Sequence, residues 1–278
     1  MKVATVQMVS GMQVQGNLER ARDLLEQAAA AGAELAVLPE YFCLLGQRDT
    51  DKLDVRETFG AGPVQQFLSD TARRLGLWIV GGSLPLVVAH GTPEDVQGRV
   101  HNSSLVFDPA GVCVRRYDKV HLFRFDNGRD RFDESRVQLR GQTPVSFDLP
   151  SRDGHRWKIG MSVCYDLRFP EMYRQYSAAG TDLLLVPSAF THATGMAHWE
   201  LLLRARAVEN LAYVVAPAQG GLHQNGRRTW GHSMVVDPWG QLLAQRQEEG
   251  AGVVSAQLDH GRLAQVRAQL PALEHRVL

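Results

Sequence analysis

Short apolar runs alternate with longer amphipathic stretches along the chain. Apolar runs typical of buried strands lie at residues 2–8, 35–38, 78–84, 104–107 and 112–117, and helical periodicity at 17–31 and 63–75. Asn17 is a plausible N-cap of the first helix, and Gly32 and Gly76 stand just past the two helical stretches, where glycine often ends a helix. This alternation predicts an α/β fold.

Three segments of the second half repeat segments of the first half in the same order. Residues 2–7 resemble 158–163, residues 30–40 resemble 178–188, and residues 104–111 resemble 233–240. We therefore expect two pseudo-symmetric halves, each a sheet with helices on one face. Stacking the two uncovered faces gives a four-layer α-β-β-α sandwich. Because no linker rich in glycine, serine or proline separates the halves, we expect residues 1–278 to form a single domain.

Composition narrows the classes of partner and cofactor. The 30 basic and 30 acidic side chains cancel, so no net field attracts nucleic acid or an anionic membrane. No apolar stretch approaches the roughly 20 residues that span a bilayer. The histidines form no metal-binding motif, and we expect no metal and no other cofactor. Three widely spaced cysteines indicate a reducing compartment rather than disulfides, so we expect a cytoplasmic protein.

Cys164 is the strongest candidate for chemistry. It follows the apolar run 158–163 and precedes a Pro-Glu pair at 170–171, which is typical of the first turn of a helix. At such a strand-to-helix bend, backbone N–H groups and the helix end can lower the pKa of a thiol. A buried structural cysteine is the commoner alternative, but the polar flank of the bend favours a nucleophile.

A nucleophilic thiol needs a base and a group that stabilises an oxyanion. Glu40 follows a buried strand at its carboxyl end, where α/β sheets bind ligands and burial can raise a carboxyl pKa. The alternative is an exposed loop acid, and Ser188 at the equivalent repeat position indicates that the fold itself demands no charge there. Lys119 is either a solvated lysine or a fixed cation beside an oxyanion. No histidine stands out as a base from its sequence context, and His121 on the probable strand with Lys119 comes closest to doing so.

Three of these segments together resemble a known family. They are residues 38–40 (Leu-Pro-Glu), 117–122 (Tyr-Asp-Lys-Val-His-Leu) and 162–171 (Ser-Val-Cys-Tyr-Asp-Leu-Arg-Phe-Pro-Glu). In order and spacing they are similar to the signature segments of the nitrilase superfamily of carbon–nitrogen hydrolases, and the resemblance covers essentially the whole chain. It implies the α-β-β-α sandwich and a catalytic triad of Glu40, Lys119 and Cys164.

The resemblance also implies a second catalytic glutamate between the lysine and the cysteine. Glu134 is the best match, and it lies in the charged stretch 123–140, which is otherwise expected to be a solvated loop or a loop bordering the site. Segments 187–190, 194–209 and 231–240 resemble the Nit-type amidase branch. That branch implies dimers or larger homo-oligomers.

The resemblance implies hydrolysis of a small carboxamide, first of all deaminated glutathione. Cys164 attacks the carbonyl carbon, Glu40 accepts the thiol proton, and Lys119 and the backbone N–H of Tyr165 stabilise the oxyanion. α-Ketoglutaramate, an N-carbamoyl amino acid or a nitrile are alternative substrates. A non-catalytic scaffold on the same fold is a more remote alternative.

A keto-acid amide carries a carboxylate that needs a cation. Arg168 is the first candidate, with Arg129 and Arg131 weaker, and an ion pair of Arg168 with Asp166 or Glu171 is the alternative. Side chains that follow the two equivalent strands are expected to line the substrate pocket. They are Tyr41, Phe42, Phe190 and Thr191, together with Tyr165 beside the nucleophile.

Overall fold

The computed structural model describes residues 1–88, 98–126, 128 and 131–277. The strands are β1 Lys2–Gln7, β2 Leu35–Val37, β3 Trp78–Val80, β4 Leu84–Val87, β5 Val100–Phe107, β6 Cys113–Asp118, β7 Arg124–Asp126, β8 Arg131–Asp133, β9 Val145–Pro150, β10 Arg156–Met161, β11 Leu183–Leu185, β12 Tyr213–Ala216, β13 Gly220–Leu222, β14 Arg228–Trp230, β15 Met234–Val236, β16 Leu242–Gln245 and β17 Gly252–Gln257. The α-helices are α1 Val14–Ala30, α2 Asp51–Asp54, α3 Pro63–Leu75, α4 Pro170–Ala178, α5 His192–Asn210 and α6 His260–Gln269. Short 3₁₀ helices span Glu134–Arg136 and Cys164–Arg168.

Two large sheets have the same internal order. The first runs β17-β1-β2-β3-β5-β4, with β6 also paired to β5, and the second runs β9-β10-β11-β12-β15-β16. In each sheet three parallel strands are followed by antiparallel ones. Val3 pairs with Leu35, and Ile159 pairs with Leu183, which are the positions that correspond in the sequence repeat. The predicted pseudo-symmetric halves are therefore confirmed down to strand register.

The two sheets pack face to face, and helices cover their outer faces. Val3 of β1 belongs to the same buried cluster as Ile159 of β10. Its neighbour Ala4 points to the opposite face and packs with Leu25 of α1 and Leu68 of α3. On the second sheet, α4 and α5 bury their apolar residues in the shared cluster. The layers are α-β-β-α, as predicted.

Element boundaries differ from the sequence-based prediction where side chains make tertiary contacts. α1 begins at Val14, so the prediction that Asn17 is its N-cap is wrong. The Asn17 amide instead accepts from the Gly11 N–H at 2.7 Å and donates to the Cys43 carbonyl at 2.9 Å. By contrast, α3 spans the predicted residues and ends at Gly76, whose φ is 60°.

The predicted strand 78–84 is interrupted where the chain passes the end of β2. Gly82 has φ of 48°, and a Cβ there would lie 2.0 Å from the carbonyl oxygen of Pro39. Only glycine fits this close approach, so β3 ends at Val80 and β4 begins at Leu84. The contact fixes the backbone immediately before Glu40.

α6 spans His260–Gln269 and ends before Pro271. Across the described ranges, no helix combines the length and apolar character that crossing a membrane requires.

Candidate active site

Cys164 lies at a bend between β10 and α4 that the backbone holds firmly. Its φ is +51°, a left-handed value that is uncommon for a residue other than glycine and that concentrates at functional sites. Its N–H donates to the Pro187 carbonyl at 2.9 Å, which joins the ends of β10 and β11. Arg206 donates twice to the carbonyl of Leu167, at 3.1 and 2.8 Å, and anchors the short helix behind the cysteine.

Asp166 organises this bend from a fully buried position. One carboxylate oxygen accepts from the Val163 N–H at 2.8 Å and from the Tyr117 hydroxyl at 2.6 Å. The other accepts from the His121 N–H at 3.0 Å and lies 2.7 Å from its Nδ1. His121 also stacks on Phe169. It therefore serves the structure of the bend and does not line the cavity beside Cys164.

Glu40, Lys119 and Glu134 form one buried hydrogen-bonded group. Lys119 Nζ donates to Glu40 Oε1 at 2.9 Å and to the two carboxylate oxygens of Glu134 at 3.0 and 2.8 Å. The side chains of Glu40 and Lys119 are each 1% exposed. The Tyr41 hydroxyl donates to Glu134 at 2.7 Å, and the Phe123 N–H donates to the same carboxylate at 2.7 Å. An ammonium thus joins two carboxylates in a site shielded from water.

The pKa values of the two carboxylates in this group are shifted in opposite directions. Burial raises the pKa of Glu40; Lys119 opposes the rise and Glu134 adds to it. Burial alone would raise the pKa of Glu134 as well, but Lys119 and the donated hydrogen bonds hold that pKa below its ordinary value. Although burial alone would lower the pKa of Lys119, the two carboxylates raise it well above its usual range. Glu40 is therefore the better proton acceptor of the pair.

The sequence-based expectation of a lowered thiol pKa is wrong. Burial raises the pKa of Cys164 well above its ordinary value, and the Glu40 carboxylate raises it further, while Lys119 opposes both effects. Desolvation and a nearby anion outweigh the favourable backbone position. The Cys164 side chain is accordingly a neutral thiol at rest, and its sulfur would need a base to act as a nucleophile.

A cavity of about 590 Å³ opens onto this group. Of the predicted site residues, Glu40, Glu134 and Cys164 line it, and so do Tyr41, Tyr165, Arg168, Phe190 and Thr191. Lys119 is buried behind the two carboxylates. Phe42 does not line the cavity and packs in the core of the first half. The charged stretch 123–140 borders the cavity through β7, β8 and Glu134. For its described part, the prediction of a loop that borders the site therefore holds over that of a solvated loop.

Arg168 is available to a ligand. Its guanidinium lies 5.8 Å from the ring centroid of Tyr165 and 5.4 Å from that of Phe190. Its polar neighbour is His198 at 3.3 Å, and neither Asp166 nor Glu171 pairs with it. Arg131 instead pairs with Asp126 at 2.8 Å and does not line the cavity. Arg129 lies outside the described residues.

Several residues around the site gave no signal in the sequence. Asn102 on β5 donates to Glu40 Oε1 at 2.9 Å, and Gln219 donates to the backbone carbonyl of Glu40 at 3.0 Å. Lys52 and Arg227 add cations to the cavity wall. A polar Asn-Ser-Ser run inside an apolar strand could have indicated Asn102; the others depend on contacts between distant segments. No group of three or more His, Cys, Asp and Glu side chains in the described ranges is arranged to hold a metal ion.

Comparison with known proteins decides the family. The model of the carbon–nitrogen hydrolase family matches residues 2–268. The chain belongs to the carbon–nitrogen hydrolase family. It is accordingly a hydrolase that acts on carbon–nitrogen bonds, and the scaffold interpretation is set aside.

Similar members of this family include amidases. A Synechocystis protein named deaminated glutathione amidase is 41% identical over 276 residues, covering 99% of this chain and 97% of the relative. A Danio rerio protein named omega-amidase NIT2 is 36% identical, covering 99% of this chain and 94% of the relative. The crystal structure of Saccharomyces cerevisiae Nit3, a member of branch 10 of the nitrilase superfamily, superposes with a TM-score of 0.85 at 31% identity, covering 100% of this chain and 97% of that one. The carbon–nitrogen hydrolase fold thus extends over the whole of the described chain.

Proposed function

We propose that this hydrolase is an amidase that cleaves deaminated glutathione into 2-oxoglutarate and cysteinylglycine through a thioester on Cys164. The observation that carries the proposal is the convergence of Cys164, Glu40 and Glu134 on one cavity, with Lys119 bonded to both carboxylates. The similarity to relatives named deaminated glutathione amidase supports the choice of substrate.

In the first step the Cys164 sulfur attacks the amide carbonyl carbon. Because the pKa of the thiol is raised, its proton must leave as the carbon–sulfur bond forms, and Glu40 accepts it. The carbonyl electron pair moves to oxygen and gives a tetrahedral oxyanion. The elevated pKa of Glu40 suits it to hold this proton until the next step.

Lys119 and the backbone N–H of Tyr165 stabilise the oxyanion in this mechanism. In the free enzyme the ammonium donates to Glu40 and Glu134. When Glu40 becomes protonated it loses its charge, so its attraction for the ammonium weakens and one N–H is released to the oxyanion. Glu134 keeps the ammonium in place throughout, since its own pKa is held low. Removing one such donor typically costs about 10²–10³ in rate.

The intermediate then collapses to a thioester. The carbon–nitrogen bond breaks, and Glu40 gives its proton to the departing amine of cysteinylglycine. Glu40, ionised again, takes a proton from a water molecule that attacks the thioester carbonyl. The carbon–sulfur bond breaks, the proton returns to the Cys164 sulfur, and 2-oxoglutarate leaves as the acid product.

The keto-acid end of the substrate carries a carboxylate, and Arg168 is our candidate to bind it. The guanidinium lies on the cavity wall beside Tyr165 and Phe190, four residues past the nucleophile. Arginine is well suited to a carboxylate because its N–H groups can donate to both oxygens. Thr191, which caps α5 by accepting from the Thr194 N–H at 3.4 Å, lies on the same wall.

An ω-amidase acting on α-ketoglutaramate is the second candidate, because a relative with that name is also similar over nearly the full chain. It would use the same acyl end and release ammonia. A cavity of about 590 Å³ has the size typical of sites for drug-sized ligands, which are larger than the five-carbon amide α-ketoglutaramate. The volume therefore favours deaminated glutathione. N-carbamoyl amino acids and nitriles are the remaining alternatives, and a carbamoyl substrate would release carbon dioxide besides ammonia.

The test compares kcat/KM for deaminated glutathione and α-ketoglutaramate side by side, with product identification by mass spectrometry. We expect a clear preference for deaminated glutathione, with 2-oxoglutarate and cysteinylglycine in equal amounts. A strong preference for α-ketoglutaramate would reassign the enzyme as an ω-amidase. Release of carbon dioxide from a carbamoyl substrate at a higher kcat/KM would reject both.

We also infer from the unpaired cysteines that the protein is cytoplasmic and from the absence of a linker that residues 1–278 act as one domain. From the family we infer a homodimer or a larger homo-oligomer. Neither the chemistry nor the neutral net charge calls for a nucleic acid, a membrane or a cofactor. Light scattering of the purified protein tests the assembly, and a monomer mass at micromolar concentration would contradict it.

A further inference from the structure

A second group of charged side chains lies on the cavity wall, apart from the Cys164 group. It consists of Asp49, Lys52 and Arg227, and we call it the distal cluster. The Arg227 guanidinium donates to Asp49 at 3.1 Å, and Lys52 Nζ lies 3.7 Å from the same carboxylate oxygen. Burial alone would raise the pKa of Asp49, but the two cations outweigh it and hold the pKa low. Two cations thus share one carboxylate, and the cluster carries a surplus positive charge.

Lys52 is the cation whose charge is least satisfied. Its side chain is 12% exposed and lies over the Tyr41 ring, with Nζ 4.7 Å from the ring centroid. Within the described ranges, Nζ makes no hydrogen bond, and Asp49 lies beyond hydrogen-bond distance. Burial lowers the pKa of Lys52, and the carboxylates of Asp49, Glu134 and Glu40 oppose this effect. A shielded ammonium without hydrogen-bond partners is costly, and an anion entering the cavity would relieve that cost.

A row of aromatic rings joins the distal cluster to Arg168. The Arg227 guanidinium lies 5.6 Å from the Phe132 ring, Phe132 lies 5.8 Å from Phe123, and Phe123 lies 5.2 Å from Tyr165. The Arg168 guanidinium completes the row, 5.8 Å from Tyr165. All five residues line the cavity. The cavity therefore has a cation at each end of an aromatic wall.

The distal cluster is also preorganised. The Asn225 amide donates to the carbonyl of Gly46 at 2.7 Å and accepts from the Arg227 N–H at 3.0 Å. These bonds tie the turn between β13 and β14 to the loop that carries Asp49. Because both backbones are fixed before a ligand arrives, little ordering cost accompanies binding.

We propose that the distal cluster binds the terminal carboxylate of the leaving amine, so that the preferred substrate is an amide with a carboxylate at each end. This inference rests on the proposed function and deepens it. Deaminated glutathione has a keto-acid carboxylate on its acyl side and a glycine carboxylate on its amine side. α-Ketoglutaramate has only the first. Lys52 and Arg227 thereby set the specificity for a peptide-like leaving group.

The test uses a substrate that differs only at the terminal carboxylate. kcat/KM is measured for deaminated glutathione and for its C-terminal carboxamide, with the parent enzyme, Arg227→Gln and Lys52→Gln. The parent enzyme is expected to prefer the carboxylate about 10- to 100-fold, as befits hydrogen bonds to charged groups. In both variants this ratio is expected to fall to about threefold or less. Since both substrates are measured with the same enzyme preparation, a general loss of activity or partial misfolding does not change the ratio of their kcat/KM values.

Arg228→Gln is the matched control. Arg228 also lines the cavity, but it already pairs with Glu249 at 2.6 Å, so its variant is expected to keep the parent ratio. A parent enzyme that turns over both forms equally, or Arg227 and Lys52 variants that keep the parent ratio, would overturn this inference and leave the proposed function intact. An enzyme that hydrolyses α-ketoglutaramate but neither form of deaminated glutathione would overturn the proposed function, and the inference with it.

Discussion

The two halves of the chain share a sheet order and a strand register, but they differ at the strand ends. β2 leads to Glu40, whereas the equivalent β11 leads to Ser188, and both side chains are buried. Glu40 accepts from Lys119, whereas the Ser188 hydroxyl donates to the backbone carbonyl two residues before it. In the proposed mechanism the residue at this position takes part in the reaction in one half, whereas its counterpart in the other half only stabilises the structure.

At the ends of the neighbouring strands β1 and β10 the roles of the two halves are reversed. β1 leads to Met8, whose N–H bonds across to the second half at the Ala218 carbonyl, whereas the equivalent β10 leads to Cys164, in a left-handed conformation. Tyr41, directly after Glu40, is left-handed as well. In the proposed mechanism each half thus supplies one functional strand end, and the cavity lies where the two sheets bring those ends together. The repeat provides equivalent positions, and in this mechanism only one position of each pair has a reacting residue.

Replacing the proposed nucleophile, which the second half supplies, should have the largest effect on the rate. Cys164→Ala is expected to lower kcat by more than about 10⁴-fold, because no other group can form the thioester. Steady-state rates test this, and mass spectrometry of trapped enzyme should place the acyl group on Cys164. The control is Cys43→Ala in the first half, where burial raises the thiol pKa to about 12 and the side chain packs in the core. An acyl adduct on Cys43 or Cys113 would contradict the assignment.

Removing the base should have the next largest effect. Glu40→Gln keeps the size and some hydrogen bonding of the side chain but cannot accept the thiol proton, so kcat is expected to fall about 10²–10⁴-fold. Glu57→Gln is the control, since Glu57 is a buried carboxylate of the same half that accepts from the Val64 N–H and does not line the cavity. Its variant should lose stability but keep kcat within a few-fold. Equal losses of kcat in the two variants would mean that Glu40 is structural.

The pH profile tests the different environments of the two carboxylates. The base must be ionised, so kcat/KM should fall as the pH drops through the raised pKa of Glu40, above the range of an ordinary carboxyl group. Because the charge of Glu134 helps to raise that pKa, Glu134→Gln should shift this acidic limb to lower pH. We expect kcat to fall about 10- to 100-fold in the same variant, since Lys119 loses an anchor. An unchanged limb, or one shifted to higher pH, would show that Glu134 does not act on Glu40 in this way.

Much of this site could be predicted from the sequence because strand ends are recognisable. Glu40, Lys119 and Cys164 each follow a predicted strand, and the repeat shows that the counterparts of Glu40 and Cys164 are Ser188 and Met8. Glu134 was found through the family resemblance alone. Its neighbours form a charged stretch that looks solvated, and only the fold turns its carboxylate inward.

The rest depends on contacts that have no local signature. Arg227 reaches Asp49 only because the turn between β13 and β14 packs against the segment that carries Asp49 and Lys52, far away in the chain. The raised pKa of the Cys164 thiol depends on the depth of its burial and on Glu40, neither of which can be derived from the residues around the bend. Local pattern predicts which strand ends carry chemistry, whereas the electrostatics require the packed structure.

Removing the Tyr41 hydroxyl should have a modest effect. It donates to Glu134 and accepts from the Gln138 amide at 2.8 Å, so Tyr41→Phe loosens the carboxylate that holds Lys119. We expect kcat/KM to fall about 3- to 10-fold, in line with the loss of one hydrogen bond to a charged group. The control is Tyr213→Phe, whose hydroxyl donates to the Asp259 carbonyl away from the cavity. A loss as large as that of Glu134→Gln would make Tyr41 a direct participant.

The smallest effect is expected at Ser188, the counterpart of Glu40. Its hydroxyl donates to the Val186 carbonyl at 3.0 Å, and its N–H donates to the Pro217 carbonyl at 2.9 Å. Ser188→Ala removes only the first bond and should lower the free energy of unfolding by about 1 kcal/mol, with kcat/KM within about twofold. Ser188→Glu, by contrast, would bury a carboxylate beside backbone groups, without the ion pair that Lys119 forms with Glu40. It should destabilise the fold by several kcal/mol. Thermal unfolding and steady-state rates measure both. A Ser188→Ala enzyme that is folded but inactive would show that this strand end also takes part in the chemistry, and the division between the halves would then fail.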